Sequence, residues 1–340
     1  MTAAIIAFTR RGAALGRTLA DALGATLHVP ARFVTEVGAE AYDSLEGWTE
    51  KAWTEADALI FVGAAGIAVR AIAPHVRDKF TDPAVVSVDE AGRFAIPLLS
   101  GHVGGANELA VKVAALTGGQ AAVSTATDVN GIFAVDVWAR ERGMVITDRV
   151  LAKEISAALL EGKGVGFASD FDHPCPAGLT GDPAELGVWV TYRKEKGPFS
   201  RTLRLAPKGL ILGIGCRRGT PMETIRGAVE EALSGYECQA VAQVATIDLK
   251  QDEPGLLAFC SAHHLPLTVF SAAELEQAEG AFTPSAFVAH ITGVDNVCER
   301  AALAAGGVLL RKKTALNGVT LALAGREPPL TWNTDGRMLP

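Results

Sequence analysis

A single short loop, residues 100–107 with the sequence SGHVGGAN, carries side chains suited to both proton transfer and anion binding. His102 can exchange a proton near neutral pH. The glycines let backbone amides come close to a ligand, and the two polar side chains can donate hydrogen bonds. The predicted binding residues of this loop are therefore Ser100, Gly101, Gly104, Gly105 and Asn107.

The loop lies between a predicted strand, residues 94–99, and a predicted helix, residues 106–116. Amides at a helix start favour an anion, and parallel sheets bind ligands at the carboxyl ends of their strands. We therefore expect a binding or catalytic site here; the alternative is a tight connection whose glycines only allow close packing. Asp128 follows the next predicted strand, residues 121–125. Its carboxylate is expected to face the same crevice as His102, with a helix cap as the alternative.

A second glycine loop, residues 213–221 with the sequence GIGCRRGTP, follows another predicted strand. It lacks the Gly-Lys-Ser/Thr ending of a Walker A loop. Its G-x-G-x-x-x-G spacing approaches that of dinucleotide sites, but the acidic residue at the right distance, Glu237, precedes the next strand. Two adjacent arginines suit a carboxylate or phosphate partner instead. The predicted binding residues are Gly213, Gly215, Arg217 and Arg218.

Other side chains allow a chemical and a structural interpretation. Cys216, at a predicted helix start, is either a nucleophile with a lowered pKa or a small buried thiol. Lys250 and Glu253 follow a strand, where a capped helix with surface charges is the default interpretation. The 7 histidines show no metal-ligand spacing, so we expect no metal site.

Composition limits the class of protein. The net charge of −7 argues against a broad basic face for nucleic acid, although local arginines can still hold a small anion. The 5 cysteines form no C-x-x-C pair and their number is odd, which predicts reduced thiols in the cytoplasm. No apolar run approaches the ~20 residues of a membrane span.

The alternation of apolar runs and amphipathic segments predicts an α/β fold. The expected organisation is a doubly wound N-terminal parallel-sheet domain (1–130), a small α/β middle domain (131–207), a separate α/β C-terminal domain (208–327) and a tail (328–340). Residues 31–55 read as irregular. The last domain is expected to use a strand, a glycine loop and a helix start within residues 209–221, and further strands at 239–248, 265–270, 285–290 and 319–324.

Several stretches resemble one family, the cobalt-precorrin-5A hydrolases of anaerobic cobalamin biosynthesis, also called cobalamin biosynthesis protein G. The longest begins GIAVRAIAPHVRDKF and runs through SGHVGGANELA, and the likeness extends over nearly the whole chain. The matching stretches are residues 66–110, 124–128, 213–221, 245–257 and 265–275.

The resemblance implies a cobalt-bearing tetrapyrrole substrate with acetate and propionate side chains. The family opens the δ-lactone of this substrate with water and expels carbon 20 and its methyl group as acetaldehyde. Cobalt would arrive inside the substrate, so no separate cofactor is expected. The expected partners are this substrate and other enzymes of the pathway that receive the product, without nucleic acid or membrane.

Within that reaction we expect His102 to activate water or shuttle a proton, with Asp128 orienting it. The amides of Gly104, Gly105 and Ala106 are expected to face the oxyanion of the lactone carbonyl. Arg217 and Arg218 would hold substrate carboxylates, with the macrocycle in a cleft between domains. Two rival functions remain: a non-catalytic corrinoid carrier, and a nucleotide-dependent oxidoreductase built on the second glycine loop.

Overall fold

The computed structural model describes residues 2–78, 81–102, 104–126 and 130–328. Its internal contacts divide the chain into two compact units, Met1–Val137 and Trp138–Pro340. The first unit holds one sheet and the second unit holds two. In the described ranges, no helix has the length and apolar character needed to cross a membrane.

The sheet of the first unit has seven strands in the order β3-β2-β1-β4-β5-β6-β7. The strands from β3 to β5 are parallel; β6 runs antiparallel to β5, and β7 runs parallel to β6. Their bounds are β1 Ala3–Ala7, β2 Thr26–Val29, β3 Glu40–Ala41, β4 Ala58–Val62, β5 Ala84–Val88, β6 Phe94–Leu99 and β7 Gln120–Ala121.

Helices cover both faces of this sheet, which confirms the doubly wound prediction. Successive strand residues point to opposite faces: Ile5 joins a core with α1 and α5, and Ile6 joins a core with α3 and α4. Strands buried on both faces read as continuous apolar runs, as β1 and β4 do. The helices are α1 Arg10–Leu23, α2 Val34–Val37, α3 Leu45–Glu55, α4 Ala65–Ile72, α5 Ala106–Thr117 and, across the boundary between the units, α6 Val135–Glu141.

Residues 31–55 are not irregular as predicted, because they contain α2, β3 and α3. Ser44 caps α3 by accepting the Gly47 amide, and Trp48 and Ala52, one helical turn apart, pack against the sheet. Polar residues on the other helix face hide this spacing in the sequence. The predicted strand at 121–125 shortens to β7, which ends at Ala121.

The second unit contains a four-stranded sheet in the order β8-β11-β10-β9 and a five-stranded sheet in the order β14-β13-β12-β16-β15. The strands are β8 Met144–Ile146, β9 Gly166–Ser169, β10 Leu186–Val190, β11 Arg201–Pro207, β12 Leu210–Cys216, β13 Val241–Ile247, β14 Leu267–Phe270, β15 Val308–Leu316 and β16 Val319–Gly325. The helices are α7 Arg149–Leu160, α8 Met222–Ala232, α9 Pro254–Ala262, α10 Ala272–Glu276, α11 Ala286–Thr292 and α12 Val297–Ala304.

One segment of this unit differs from expectation, and its two sheets are joined by a common core. The predicted strand at 285–290 is helix α11, which begins after Ser285, whose hydroxyl accepts the Val288 amide. The two sheets also share a core, because Tyr192 and Ala206 of the middle segment belong to the apolar cluster around β12 and β13. The Tyr192 hydroxyl donates to the Arg326 carbonyl at 2.6 Å.

Candidate functional site

The loop of residues 100–107 lies at the carboxyl ends of β6 and β7 but at the amino ends of β1, β4 and β5. The reason is the β5–β6 hairpin, in which Leu99 at the end of β6 pairs with Val85 at the start of β5. The loop therefore occupies the opposite edge of the sheet from the first turns of α1 and α4. The predicted carboxyl-end position holds only for the two strands that follow the reversal.

Ser100 fixes the start of this loop. It is buried, and its hydroxyl donates to the Asp82 carbonyl at 2.9 Å, just before β5. Its φ of 54° lies in the left-handed region, which is rare outside glycine. Because the Ser100 hydroxyl donates its proton to the Asp82 carbonyl, it does not donate to a ligand in this conformation and instead stabilises the loop.

The amides at the start of α5 donate hydrogen bonds to carbonyl groups of the loop itself. The Gly105 amide donates to the His102 carbonyl, and the Ala106 amide donates to the Ser100 carbonyl, both at 3.2 Å. The Asn107 amide donates to the Gly101 carbonyl at 3.0 Å. The amides of Gly105 and Ala106 are therefore not available in this conformation for the predicted oxyanion role.

Two glycines and Asn107 make the loop tight. A Cβ on Gly104 would lie 2.4 Å from the Ser100 Cβ, and a Cβ on Gly101 would lie 2.6 Å from the Asn107 Oδ1. The Asn107 Nδ2 donates to the Thr125 Oγ1 at 3.0 Å. The loop is thereby joined to the segment after β7, as the common edge of β6 and β7 predicts.

His102 meets a carboxylate, but on a segment that the sequence did not single out. Its Nδ1 lies 3.5 Å from the Oδ1 of Asp136, in the first turn of α6, and the two side chains are only 14% and 15% exposed. The same Asp136 oxygen accepts the Val137 amide at 3.0 Å. Asp128, the predicted partner of His102, lies outside the described residues, so its role stays a prediction.

The first half of the second glycine loop is part of a strand. Gly213 is buried within β12, where a Cβ would lie 1.9 Å from the Cys298 carbonyl oxygen of α12. Gly215 also lies in β12, and its carbonyl accepts the Thr320 hydroxyl at 3.2 Å. These glycines allow close packing of strand and helix. Their predicted contact with a ligand stays untested.

Cys216 ends β12 and does not start a helix, since α8 begins at Met222. Burial raises the pKa of its thiol, which outweighs the opposing effect of the Lys250 ammonium group, and nearby Glu253 raises the pKa further. A raised pKa leaves less thiolate at neutral pH, which argues against the nucleophile interpretation.

The exposed part of this loop carries both arginines. Arg217 and Arg218 are exposed, and Arg218 lies 3.9 Å from the exposed Asp252. The Gly219 amide donates to the Glu253 Oε1 at 2.5 Å, and the Lys250 Nζ donates to the Glu253 Oε2 at 3.2 Å. Glu253 is only 1% exposed, so it is not the surface charge that the sequence predicted. Through these two bonds Glu253 connects residues 217–219, called the arginine loop below, to the segment before α9.

The described residues contain no group of three or more His, Cys, Asp or Glu side chains placed to hold a metal ion. All 5 cysteines fall in the described ranges, and all are free thiols.

Sequence reasoning missed Asp136 as a site residue. Nothing in its sequence position marks it, because an aspartate in the first turn of a helix is explained by the helix dipole alone. Only the fold brings that turn to His102. For Glu253, the local signal was its place directly before Pro254 and after β13, which does not reveal burial.

Three family models match successive parts of the chain. They are described as Cobalamin synthesis G N-terminal, over residues 47–128, Cobalamin biosynthesis central region, over 133–207, and Cobalamin synthesis G C-terminus, over 210–324. Together they cover well over half of its length.

Relatives match over similar lengths. A cobalt-precorrin-5A hydrolase of Salmonella typhimurium is 34% identical over 339 residues, which is 94% of this chain and 96% of the relative. One from Priestia megaterium is 32% identical and covers 78% of each chain. The crystal structure of a putative cobalamin biosynthesis protein G homolog from Sulfolobus solfataricus is 21% identical, with a TM-score of 0.40 over 96% of this chain and 97% of that one. The chain belongs to the cobalamin synthesis G family.

Proposed function

We propose that this protein is a cobalt-precorrin-5A hydrolase, which opens the δ-lactone of its substrate with water and releases the two-carbon fragment as acetaldehyde, leaving cobalt-precorrin-5B. The observation that carries the proposal is the 34% identity to the Salmonella hydrolase across 94% of this chain. A match of that extent includes most of both compact units.

His102 is the proposed base of the first step. It takes a proton from water as the water oxygen bonds to the lactone carbonyl carbon. The acyl–oxygen bond then breaks, and the proton returns to the leaving oxygen, which becomes a hydroxyl group. Loss of that hydroxyl proton and cleavage of the carbon–carbon bond behind it release the fragment as an aldehyde, while the ring takes up a proton. The low exposure of His102 favours proton transfer over exchange with bulk water.

Arg217 and Arg218 are the proposed contacts for substrate carboxylates. Both are exposed, and the buried Glu253 holds the loop that carries them. A guanidinium group binds a carboxylate through two parallel hydrogen bonds. Cobalt belongs to the substrate in this proposal, and the protein supplies no metal or cofactor of its own. We place the reaction in the cytoplasm, with the product passed to another enzyme of the pathway.

The test is anaerobic incubation of the protein with cobalt-precorrin-5A, with any acetaldehyde trapped by a carbonyl reagent. Release of one acetaldehyde per substrate supports the proposal. Tight corrinoid binding without any acetaldehyde would refute it and favour a carrier. Turnover that requires added NAD(P) would favour an oxidoreductase.

A further inference from the structure

We propose that Asp136 is the positioning residue of His102, holding the imidazole with its proton on Nδ1 so that Nε2 can accept the proton of water. This inference rests on the proposed function for its catalytic consequence, but not for the arrangement itself. It concerns a carboxylate that the fold brings to the histidine, and the orienting role expected for Asp128 stays a separate prediction.

The geometry supports a directed contact. The Nδ1 of His102 is 3.5 Å from the Asp136 Oδ1, and the two side chains are only 14% and 15% exposed. This distance is longer than the usual 2.7–3.2 Å of an N–H···O hydrogen bond. Contacts of catalytic groups are often long without substrate and shorten in the complex. A carboxylate accepts and cannot donate, so the facing nitrogen must carry the proton.

The surroundings of Asp136 place its carboxylate at a helix start. It stands in the first turn of α6, where the helix dipole stabilises a negative side chain. The Val137 amide donates to the same oxygen that faces His102. One carboxylate oxygen thus accepts the helix amide and faces the imidazole.

The loop holds His102 from the other side. The His102 carbonyl accepts the Gly105 amide, and the next amide in the chain, on Ala106, donates to the Ser100 carbonyl. Because the backbone on both sides of the imidazole is tied down, a change at Asp136 acts on the ring and its tautomer before it acts on the loop.

A purely structural role makes a different prediction. If Asp136 served only the first turn of α6, its replacement would lower stability without altering the His102 ring. Asp148 provides a matched control, because its Oδ1 accepts the Val150 and Leu151 amides at the start of α7. Asn caps a helix start about as well as Asp does.

The experiment compares Asp136→Asn, Asp136→Glu and the control Asp148→Asn with the wild type. The first readout is the nitrogen NMR spectrum of the histidine side chains at alkaline pH, with the His102 signals assigned from His102→Ala. We expect an Nδ1–H tautomer in the wild type and in Asp148→Asn, and its loss in Asp136→Asn, whose amide group can donate to Nδ1. An Nε2–H tautomer in the wild type overturns the proposal even if no variant folds.

The second readout is acetaldehyde release. We expect Asp136→Asn to lower kcat by about 10- to 1000-fold with KM nearly unchanged, and Asp136→Glu to recover part of the loss. In a His102→Ala background, Asp136→Asn should cause no further loss, because the two residues act as one unit. Wild-type kcat in folded Asp136→Asn, or full additivity, would overturn the inference. Absence of acetaldehyde from the wild type would refute the proposed function, while the tautomer would still decide the pairing.

Discussion

At Gly104 a side chain has no room. A Cβ there would lie 2.4 Å from the Ser100 Cβ and 2.8 Å from the Ser100 carbonyl oxygen, which itself accepts the Ala106 amide. Neither atom belongs to a flexible side-chain end, so Gly104→Ala must shift the loop at a cost of about 1–3 kcal/mol. We expect at least about a tenfold loss of acetaldehyde release.

The matched control for this change is Gly66→Ala. Gly66 lies in α4 of the same unit, and a Cβ there would meet nothing within 4 Å. This variant should keep its turnover and unfold at the same temperature or slightly higher, because alanine favours a helix by up to ~1 kcal/mol over glycine. Equal activity of the two variants would show that the loop tolerates movement around His102.

Cys216 is predicted to take no part in the reaction. Burial raises the pKa of its thiol, so its thiolate fraction stays small at neutral pH and grows only as the pH rises towards that raised pKa. Iodoacetamide should therefore label Cys216 more slowly than the exposed Cys238, as followed by peptide mass spectrometry. Cys216→Ser should retain acetaldehyde release. Rapid labelling of Cys216 with loss of turnover would restore it as a nucleophile.

Among the elements, β6 decides where the first loop lies. The sequence correctly predicts the strand before the loop and the helix after it. It does not tell to which edge of the parallel sheet the loop returns, since that follows from the antiparallel pairing of Leu99 with Val85. The contact between His102 and Asp136 could not be predicted from the sequence, because it depends on tertiary packing.

Short apolar runs are the other limit of prediction. Residues 285–290, SAFVAH, have a strand-like composition, yet the Ser285 cap and the left-handed Gly293 at the end make this segment the helix α11. Period alone cannot separate a short strand from two helical turns. The strands β1, β4 and β12 were predictable, because they are continuous apolar runs bounded by turns.

The segment before α9 is predicted to hold the arginine loop in place through Glu253. In Glu253→Gln the neutral amide weakens the bonds from the Gly219 amide and the Lys250 ammonium group, at a cost of about 1.5–3 kcal/mol. We expect a lower unfolding temperature and a KM raised by about three- to tenfold, with kcat within about twofold.

Asp252→Asn is the control for this charge change. Asp252 is the neighbouring residue, but it is exposed and lies 3.9 Å from Arg218, so its contact contributes about 0–1 kcal/mol. The KM and the unfolding temperature of Asp252→Asn should equal those of the wild type. If the KM and the unfolding temperature of Glu253→Gln equal those of this control, the bonds of Glu253 do not hold the arginine loop in its binding position.

On the scale of the whole molecule, the two sheets of the second unit should lose structure together. Tyr192 is buried in the core that both share, and its hydroxyl donates to the Arg326 carbonyl beside β16. Tyr192→Ala should cost about 3–5 kcal/mol. Hydrogen exchange should then speed up in β10 and β11 as well as in β12 and β16.

The first unit provides the internal control, because β1 and β4 belong to a different core. Their exchange should not change in Tyr192→Ala. Faster exchange confined to residues 144–207 would show that the middle sheet opens independently of the C-terminal sheet.

Acetaldehyde release from cobalt-precorrin-5A under anaerobic conditions, compared between the wild type and His102→Ala, decides whether this protein is a hydrolase that uses His102. We expect stoichiometric acetaldehyde from the wild type and a loss of about 100- to 10,000-fold in the variant, which is the usual contribution of a general base. Circular dichroism should show that the variant keeps its fold. Equal release by both proteins would remove His102 from the reaction, and no release by the wild type would contradict the proposed hydrolase.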